Sequence, residues 1–497
     1  MDSITALAHG FQAVLFDPVN LFVLVIGLIL GLIVAVLPGL TLVMGVVLAL
    51  PFTYGMGILP ALILLTAMYV SGTYGGAFTS ILFRIPGEPM DVPMLWDGYA
   101  MARKGEPALA LGWTLFSALV GGVFAATAMV AMSGPVARFA LALSTPEYFA
   151  IILLGLMSVV TLAGGALAKA LISLATGLLL ATVGTDPTHG ALRFDFGLTL
   201  LADGIEYLLV MVGAYGLGEV MTRLEQRGET AAVSGRGAIA TKLPRFVAAF
   251  KAKWTFARGA LIGFIIGIIP GAGATIASFV SYGIEGQYGK RRREMGSGVA
   301  EGIIAPQTAA TSSVGGAMVP LLTMGIPGSG ATAIILAAFM LHGVQPGPHV
   351  FFKSADLVYA IFATVFLSVL GMCAIGYFAI KLLVKVLEFP EAITSAFVVM
   401  FCFMGAMASR STVGDLWIIA AFGVLGYLFE RYRFPIAPMV LGAILGPLAE
   451  TNFMTTMISF GNDWTVFFTR PGSGSIMTFN ALTLAYTLYS GWRTKKR

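Results

Sequence analysis

Apolar residues in this chain run in unbroken stretches instead of alternating with polar ones. Segments at about 20–37, 40–50, 58–82, 108–132, 148–164, 167–184, 198–217, 259–283, 299–326, 331–342, 356–384, 392–409, 413–429, 434–449 and 476–491 predict helices, several of them too short to cross a bilayer alone. No Asp, Glu, Lys or Arg occurs from Pro18 to Phe83, from Gly259 to Ile284, or from Gly302 to Phe352. Porin strands would show alternation over about ten residues. The pattern therefore predicts an all-α polytopic membrane protein.

Composition sharpens this picture. The chain has 497 residues, 58% hydrophobic and 11% charged, whereas a soluble domain carries roughly 25% charged residues. With a mean hydropathy of +0.91, a soluble protein is excluded. The net charge of +5 comes from basic residues in short clusters between apolar runs, which the preference for cytoplasmic positive charge explains better than nucleic-acid binding. Cys373 and Cys402 lie inside apolar segments and are too few for a disulfide framework or a zinc site, so they read as small buried hydrophobes. The N-terminal residues carry no basic region ahead of an apolar core, so the first apolar segment is expected to be retained.

The one sizeable hydrophilic stretch, 222–258, holds Arg223, Arg227, Arg236, Lys242, Arg245, Lys251, Lys253 and Arg258 against Glu225 and Glu229. It is expected on the cytoplasmic side and separates a first membrane repeat, 1–221, from a second, 259–450. An outer loop, a final transmembrane helix and a basic cytoplasmic tail follow over 451–497. Gly27, Gly31, Pro38 and Gly39 recur as Gly259, Gly263, Pro270 and Gly271, an offset of 232 (270 − 38). Ile85-Pro86-Gly87 recurs as Ile326-Pro327-Gly328, an offset of 241 (327 − 86), and Asp97-Gly98-Tyr99 and His342-Gly343-Val344 close the matching segments.

Charge placement orients the repeats. Segment 259–284 lies between Arg258 and the run Lys290-Arg291-Arg292-Arg293, so both of its ends are expected in the cytoplasm. Broken at Pro270-Gly271, it reads as a re-entrant hairpin. The equivalent hairpin of the first half has no flanking Lys or Arg and is expected to open outward. Parity then puts Arg103-Lys104 and Lys169 inside, Arg138 and 186–195 outside, Lys353, Arg410 and 450–470 outside, and Lys381, Lys385, Arg431, Arg433 and the C-terminus inside. This is an inverted-topology repeat with broken helices.

A proline followed by glycine at membrane depth frees backbone groups that must be buried in protein or line a wet cavity. Such a break ends one half-helix and starts another, whose N–H groups and positive dipole end bind carboxylates. Pro38, Gly39 and Thr41, Pro86 and Gly87, Pro270, Gly271, Gly273 and Thr275, and Pro327, Gly328 and Ser329 are the candidate substrate-binding residues. Thr41 and Thr275 either cap the new helices or donate to a ligand. Gly- and Pro-containing transmembrane helices often merely kink, but paired breaks in two halves point to a midplane binding site. Transport of a small anionic solute follows.

Polar residues beside the breaks extend the set. Gln307, Thr311 and Ser312 lie in a charge-free run next to Pro306, with Thr79-Ser80 in the first half. Singly, such hydroxyls bond their own helix; clustered, they can coordinate a solute or a cation. Arg84, Glu88 and Asp91 bracket the first Ile-Pro-Gly motif. Arg84 either binds a substrate carboxylate or pairs with Glu88 or Asp91, both also candidates for cation coupling. Asp97 reads as a turn cap at the cytoplasmic edge.

These motifs resemble the large membrane subunit of tripartite tricarboxylate transporters, the TctA family, over nearly the whole chain. The resemblance rests on Pro38-Gly39-Leu40 followed by LALPFTYGM, on GTYGGAFTSILFRIPGEP from Gly72, and on DGYAMARKG from Asp97. The second half supplies GIIPGAGATIASF from Gly267, GGAMVPLLTMGIPGSGAT from Gly315, HGVQPGP from His342 and FPIAPMVLGAILGPLAE from Phe434. It implies a small membrane subunit of about four helices, a periplasmic solute-binding protein, a carboxylate substrate, and a place in the bacterial inner membrane. It also implies uptake driven by Na+ or H+, with no cofactor, and the inverted repeats resemble elevator-type carriers. No GxxxxGK[ST] is present. Where many members have Ala-Pro-Glu followed by paired asparagines, this chain has Ala305-Pro306-Gln307, then Ala310 and Thr311. It also has Arg84 where Asn is common, and adds Glu88 and Asp91, so citrate is not implied.

Two other readings follow from the sequence. A stand-alone carboxylate carrier would lack neighbouring genes for a binding protein and a four-helix protein. An intramembrane enzyme would need a Ser–His or Asp–Asp pair at membrane depth. His9 and His189 instead lie in connecting segments, His342 and His349 flank a turn, and neither GxSxG nor HExxH occurs, so the chain is not expected to be an enzyme.

Overall fold

The structure, a computed structural model, describes residues 3–37, 40–84, 86–162, 167–186, 190–225, 241–271, 273–378, 391–410 and 412–495. Helices dominate. The first stretch gives α1 (Ser3–Leu15), α2 (Pro18–Val36), α3 (Leu42–Ala49), α4 (Ile58–Phe83), α5 (Met94–Arg103) and α6 (Pro107–Leu141). Next come α7 (Thr145–Leu162), α8 (Leu167–Ala181), α9 (Thr199–Ala202), α10 (Tyr207–Met211) and α11 (Gly218–Glu225). The second half begins with α12 (Phe246–Lys251), α13 (Lys253–Ile268), α14 (Gly273–Tyr288), α15 (Glu301–Met324), α16 (Gly330–Leu341), α17 (Pro348–Lys353) and α18 (Ala355–Phe378). It ends with α19 (Glu391–Arg410), α20 (Val413–Arg431), α21 (Ile436–Ser459), α22 (Val466–Thr469) and α23 (Pro471–Lys495). Among the described residues six helices, α2, α4, α6, α18, α20 and α21, are long and apolar enough to cross a bilayer. The chain is an all-α polytopic membrane protein.

Local chemistry sets several boundaries. The Asp17 carboxylate accepts the Val19 and Asn20 N–H groups, and Pro18 takes the first turn, so α2 starts where the charge-free run starts. A two-residue ladder pairs Gly184 with Arg193 and Thr185 with Leu192. Between α10 and α11 the chain widens into a π turn, Val212–Leu217.

The helices form two compact units, and each draws on both halves of the sequence. One comprises Met1–Ala137 and Thr230–Thr394; the other comprises Arg138–Glu229 and Ser395–Arg497. The second unit packs α7 and α8 on α21, α20 on the π turn, and α23 on α7. Its polar ties join segments that charge parity assigns to one side. Arg193 forms a bidentate pair with Glu450, Nη2 to Oε2 at 3.1 Å, and the Lys169 ammonium donates to the Tyr432 carbonyl at 2.6 Å. Glu147 accepts from Arg470 Nε at 3.0 Å, near the ring of Phe149, which tilts against the stacked pair Phe453 and Phe467.

The first unit holds the broken helices. Here α2 lies along α4 and α13 along α15, at a separation that only glycine allows. A Cβ on Gly27 would stand 2.7 Å from the Leu64 carbonyl oxygen, and one on Gly259 would stand 3.0 Å from that of Ala305. Gly31 likewise meets the Met68 backbone and Gly263 the Ala309 backbone. Each contact of the first half maps onto its counterpart through the offsets of 232 and 241 read from the sequence.

Candidate functional site

The second hairpin turns through glycines in left-handed geometry. α13 stops at Ile268, Gly271 has φ 79° and Gly273 φ 57°, and α14 starts at Gly273. A side chain there would be strained, so the glycines following Pro270 are what let the chain reverse. In the first half, α2 stops at Val36 and α3 starts at Leu42, with the Thr41 hydroxyl accepting the Met44 N–H at 3.2 Å. Thr41 is therefore a helix cap. Thr275 sits in the first turn of α14, partly exposed. Pro38 and Gly39 lie outside the described residues.

The Ile-Pro-Gly elements end α4 and α15 in matching ways. The residue after each helix is left-handed, Arg84 with φ 59° and Gly325 with φ 71°. Gly87 and Gly328 are then pressed against backbone: a Cβ would lie 2.8 Å from the Ala35 oxygen in one case and 2.7 Å from the Gly267 oxygen in the other. Pro86 is exposed while Pro327 is buried. The Gly271 N–H donates to the Gly328 carbonyl at 3.0 Å, fastening the second tip to the second Ile-Pro-Gly element.

Both hairpins approach one pair of residues. A Cβ on Gly273 would be 3.7 Å from Ser329 Cβ, and one on Gly330 would be 3.1 Å from Val43 Cγ2, next to the start of α3. Ser329 caps α16 in a capping box: its hydroxyl accepts the Thr332 N–H at 3.3 Å, and Thr332 Oγ1 accepts the Ser329 N–H at 2.7 Å. The same Ser329 hydroxyl donates to the Tyr69 hydroxyl at 3.1 Å. Tyr69 lies against this candidate site through that bond, and motif reading missed it. Its signal is slight, a lone hydroxyl inside the charge-free α4.

Glu88 and Asp91 are buried, 7% and 1% exposed. They form a capping box on the short turn Pro89–Asp91, in which Asp91 Oδ2 accepts the Glu88 N–H at 3.0 Å. The Glu88 carboxylate also accepts the N–H of Leu42, the first residue of α3. Among the described residues Arg84 pairs with neither Glu88 nor Asp91. Its side chain is exposed, with the guanidinium 5.7 Å from the centre of the Tyr99 ring, a cation–π geometry.

The Gln307 cluster is fully buried. Gln307 Nε2 donates to the Thr73 carbonyl at 3.1 Å and to Thr311 Oγ1 at 3.0 Å, while among the described residues its Oε1 has no donor. Ser312 faces elsewhere, donating to the Ala260 carbonyl at 2.7 Å. Thr79 and Ser80 bond the Gly76 carbonyl of their own helix.

One clamp ties the first half to the loop beyond the second half's hairpin. The Asp97 carboxylate, fully buried, accepts the N–H groups of Gly296, Gly298 and Val299 and the Tyr282 hydroxyl at 2.7–3.0 Å. Nearby, the Ser278 hydroxyl donates to the Met90 carbonyl at 2.6 Å, joining α14 to the Pro89–Asp91 turn. Asp97 is the turn cap that the sequence indicates, with partners far along the chain.

Residues 21–441 match the model of the tripartite tricarboxylate transporter TctA family. The chain is 34% identical over 503 aligned residues to an uncharacterized 52.8 kDa protein in the TAR-I ttuC' 3' region of Agrobacterium vitis, covering 100% of this chain and 98% of that protein. It is 33% identical over 234 residues to an uncharacterized protein in the TAR-II ttuC' 3' region of the same organism, covering 47% of this chain and 97% of that protein. No solved structure matches.

Proposed function

The chain belongs to the tripartite tricarboxylate transporter TctA family, and on that premise we propose that it is the permease subunit that takes up a small carboxylate by cation symport, working with a periplasmic solute-binding protein and a small membrane subunit. The observation that carries this reading is the approach of both hairpins to Ser329-Gly330. It gathers the starts of α3, α14 and α16, the Tyr69 and Ser329 hydroxyls and left-handed glycines at one place, the elements that bind a carboxylate without a resident cation.

In this reading Gly271, Gly273, Thr275, Gly328 and Ser329 contact the substrate directly, and Glu88 lies at its edge. Gln307 Oε1, buried without a donor among the described residues, is the atom best suited to a coupling ion, because a buried oxygen lacking a hydrogen-bond donor is satisfied by a cation. The halves have opposite orientation, and the unit holding the hairpins carries substrate across by an elevator-like movement. Contacts such as Arg193–Glu450 and Lys169–Tyr432 join segments that charge parity puts on one side, which supports that path, with the C-terminus in the cytoplasm of a bacterial inner membrane.

Reconstitution tests the proposal. The full chain is placed in proteoliposomes with the small membrane subunit and the binding protein from neighbouring genes, and uptake of radiolabelled organic acids is followed under an imposed Na+ or pH gradient. Gradient-dependent uptake that requires the binding protein is expected. Uptake without the binding protein would favour a stand-alone carrier, and uptake indifferent to both gradients would overturn symport.

A further inference from the structure

The end of the basic stretch that divides the halves has a surface of its own. From Thr241 to Phe256 the chain carries Lys242, Arg245, Lys251 and Lys253 and no acid. All four are exposed, and among the described residues no carboxylate pairs with them. The next basic residue, Arg258, is already held by Glu285 at 2.6 Å. The same segment turns large apolar side chains outward: Phe246, Phe250 and Trp254, at four-residue spacing along α12 and the start of α13, are 78%, 61% and 61% exposed. From Trp254 the row continues down α13 through Leu261 and Ile265, seven and eleven residues on and therefore on one helix face, both exposed. Charge and rings share this surface, since the Lys253 ammonium lies 4.6 Å from the centre of the Phe250 ring and 5.9 Å from that of Trp254.

We propose that α12 and the start of α13 form an amphipathic element that docks on anionic phospholipid headgroups, on the side that charge placement assigns to the cytoplasm. Phe246, Phe250 and Trp254 sit below the phosphates, and Lys242, Arg245, Lys251 and Lys253 lie among them. The charges decide the occupant: four exposed basic side chains with no acid between them complement a negatively charged surface, and aromatic side chains beside them suit the boundary between headgroups and hydrocarbon. The position of the row agrees, because it runs on into the outward apolar face of α13, inside a charge-free span that meets lipid. Main chain holds the element in place. The Lys242 N–H donates to the Ala108 carbonyl at 2.9 Å, and a Cβ on Gly112 would collide with the Lys242 carbonyl oxygen, so its beginning is pinned to the first turns of α6. Its end passes directly into α13, whose Gly259 and Gly263 pack on α15. Lipid bound here therefore steadies the first leg of the second hairpin.

Quenching of Trp254 fluorescence by brominated lipids tests this, with the full-length chain in nanodiscs that contain brominated phosphatidylglycerol or brominated phosphatidylcholine in equal amount, and with Trp254→Phe defining the share of that residue. The wild type is expected to enrich phosphatidylglycerol over phosphatidylcholine at least about tenfold around Trp254, because each Lys or Arg beside an anionic surface contributes about fivefold in affinity. About 0.5 M salt should remove most of the enrichment. Lys251→Gln/Lys253→Gln should lower it about fivefold or more, and neutralising Lys242 and Arg245 as well should abolish it; should that fourfold variant fail to insert, the pair and the salt series still decide. Equal quenching by the two lipids in the wild type, or an enrichment that the charge variants keep, overturns the proposal. Displacement of brominated phosphatidylglycerol by millimolar inorganic phosphate would reveal a free-anion site, which also overturns it. So would loss of Trp254 quenching when the small membrane subunit is reconstituted with the chain, since a protein would then cover the face.

Discussion

The Gly271 amide donates to the Gly328 carbonyl across 3.0 Å, so the tip of the second hairpin is held by main chain to the second Ile-Pro-Gly element and no side chain is needed to place it. Gly271 itself has φ 79°. Gly271→Ala is expected to cost about 1–2 kcal/mol, the strain of a left-handed residue with a Cβ, and to reduce uptake by displacing the tip. Gly283, inside α14 with open space around it, is the contrast: Gly283→Ala should be neutral or stabilising by up to about 1 kcal/mol. Thermal unfolding of both variants in detergent compares them, and equal losses would contradict the role given to Gly271.

The approach of the first hairpin to the second half can be trapped chemically. A Cβ on Gly330 would lie 4.0 Å from Val43 Cβ, inside the usual disulfide range of about 3.5–4.5 Å. In a background with Cys373→Ala and Cys402→Ala, the double variant Val43→Cys/Gly330→Cys should cross-link under mild oxidation and lose uptake, with recovery on adding a reductant. Proteolysis in the 226–240 stretch followed by gel electrophoresis reads the cross-link directly, because the two fragments stay joined only if the bond has formed.

Asp97 is expected to be among the costliest positions to change. Its carboxylate serves three backbone N–H groups and the Tyr282 hydroxyl; stranding the buried Val299 N–H costs roughly 1–3 kcal/mol, and the more exposed donors lose about 1 kcal/mol each. Asp97→Ala should destabilise by on the order of 3 kcal/mol or more. Asp97→Asn keeps one acceptor and should fall between it and the wild type. The melting temperatures of the two variants, together with protease sensitivity around Gly296–Val299, provide the check.

Arg84 carries strain that its counterpart Gly325 does not. Arg84→Gly should relieve about 1 kcal/mol of left-handed strain, partly offset by loss of the Tyr99 stack. Arg84→Ala should gain nothing. If the guanidinium nevertheless binds substrate, both variants will lose affinity equally, which a titration separates from the stability effect.

The broken helices were legible because Pro and Gly impose backbone geometry locally: Pro270-Gly271 announces a turn whatever surrounds it, and α13 and α14 flank it. The close packing of α2 on α4 was legible only as a recurrence of glycines. What those glycines touch, such as the Leu64 carbonyl against Gly27, depends on tertiary approach. Arg84 shows where motif reading stops. Proximity in sequence made Glu88 and Asp91 its natural partners, but the left-handed turn at the end of α4 sends the guanidinium to Tyr99 on the next helix. Tyr69 was missed for a related reason, since its partner Ser329 lies 260 residues away. The helix α1 was not expected, because its sequence mixes polar and apolar residues without a long apolar run.

The clamp at Asp97 also bears on biosynthesis. When the ribosome has released α5, Asp97 is already at the membrane, but the amides it serves at Gly296–Val299 have not been made. The same holds for Val43, whose neighbour Gly330 emerges later still. The first half thus enters the bilayer with a charged side chain and a helix face awaiting partners from the second. The contacts that complete the first half are therefore made only once the second half has been synthesised.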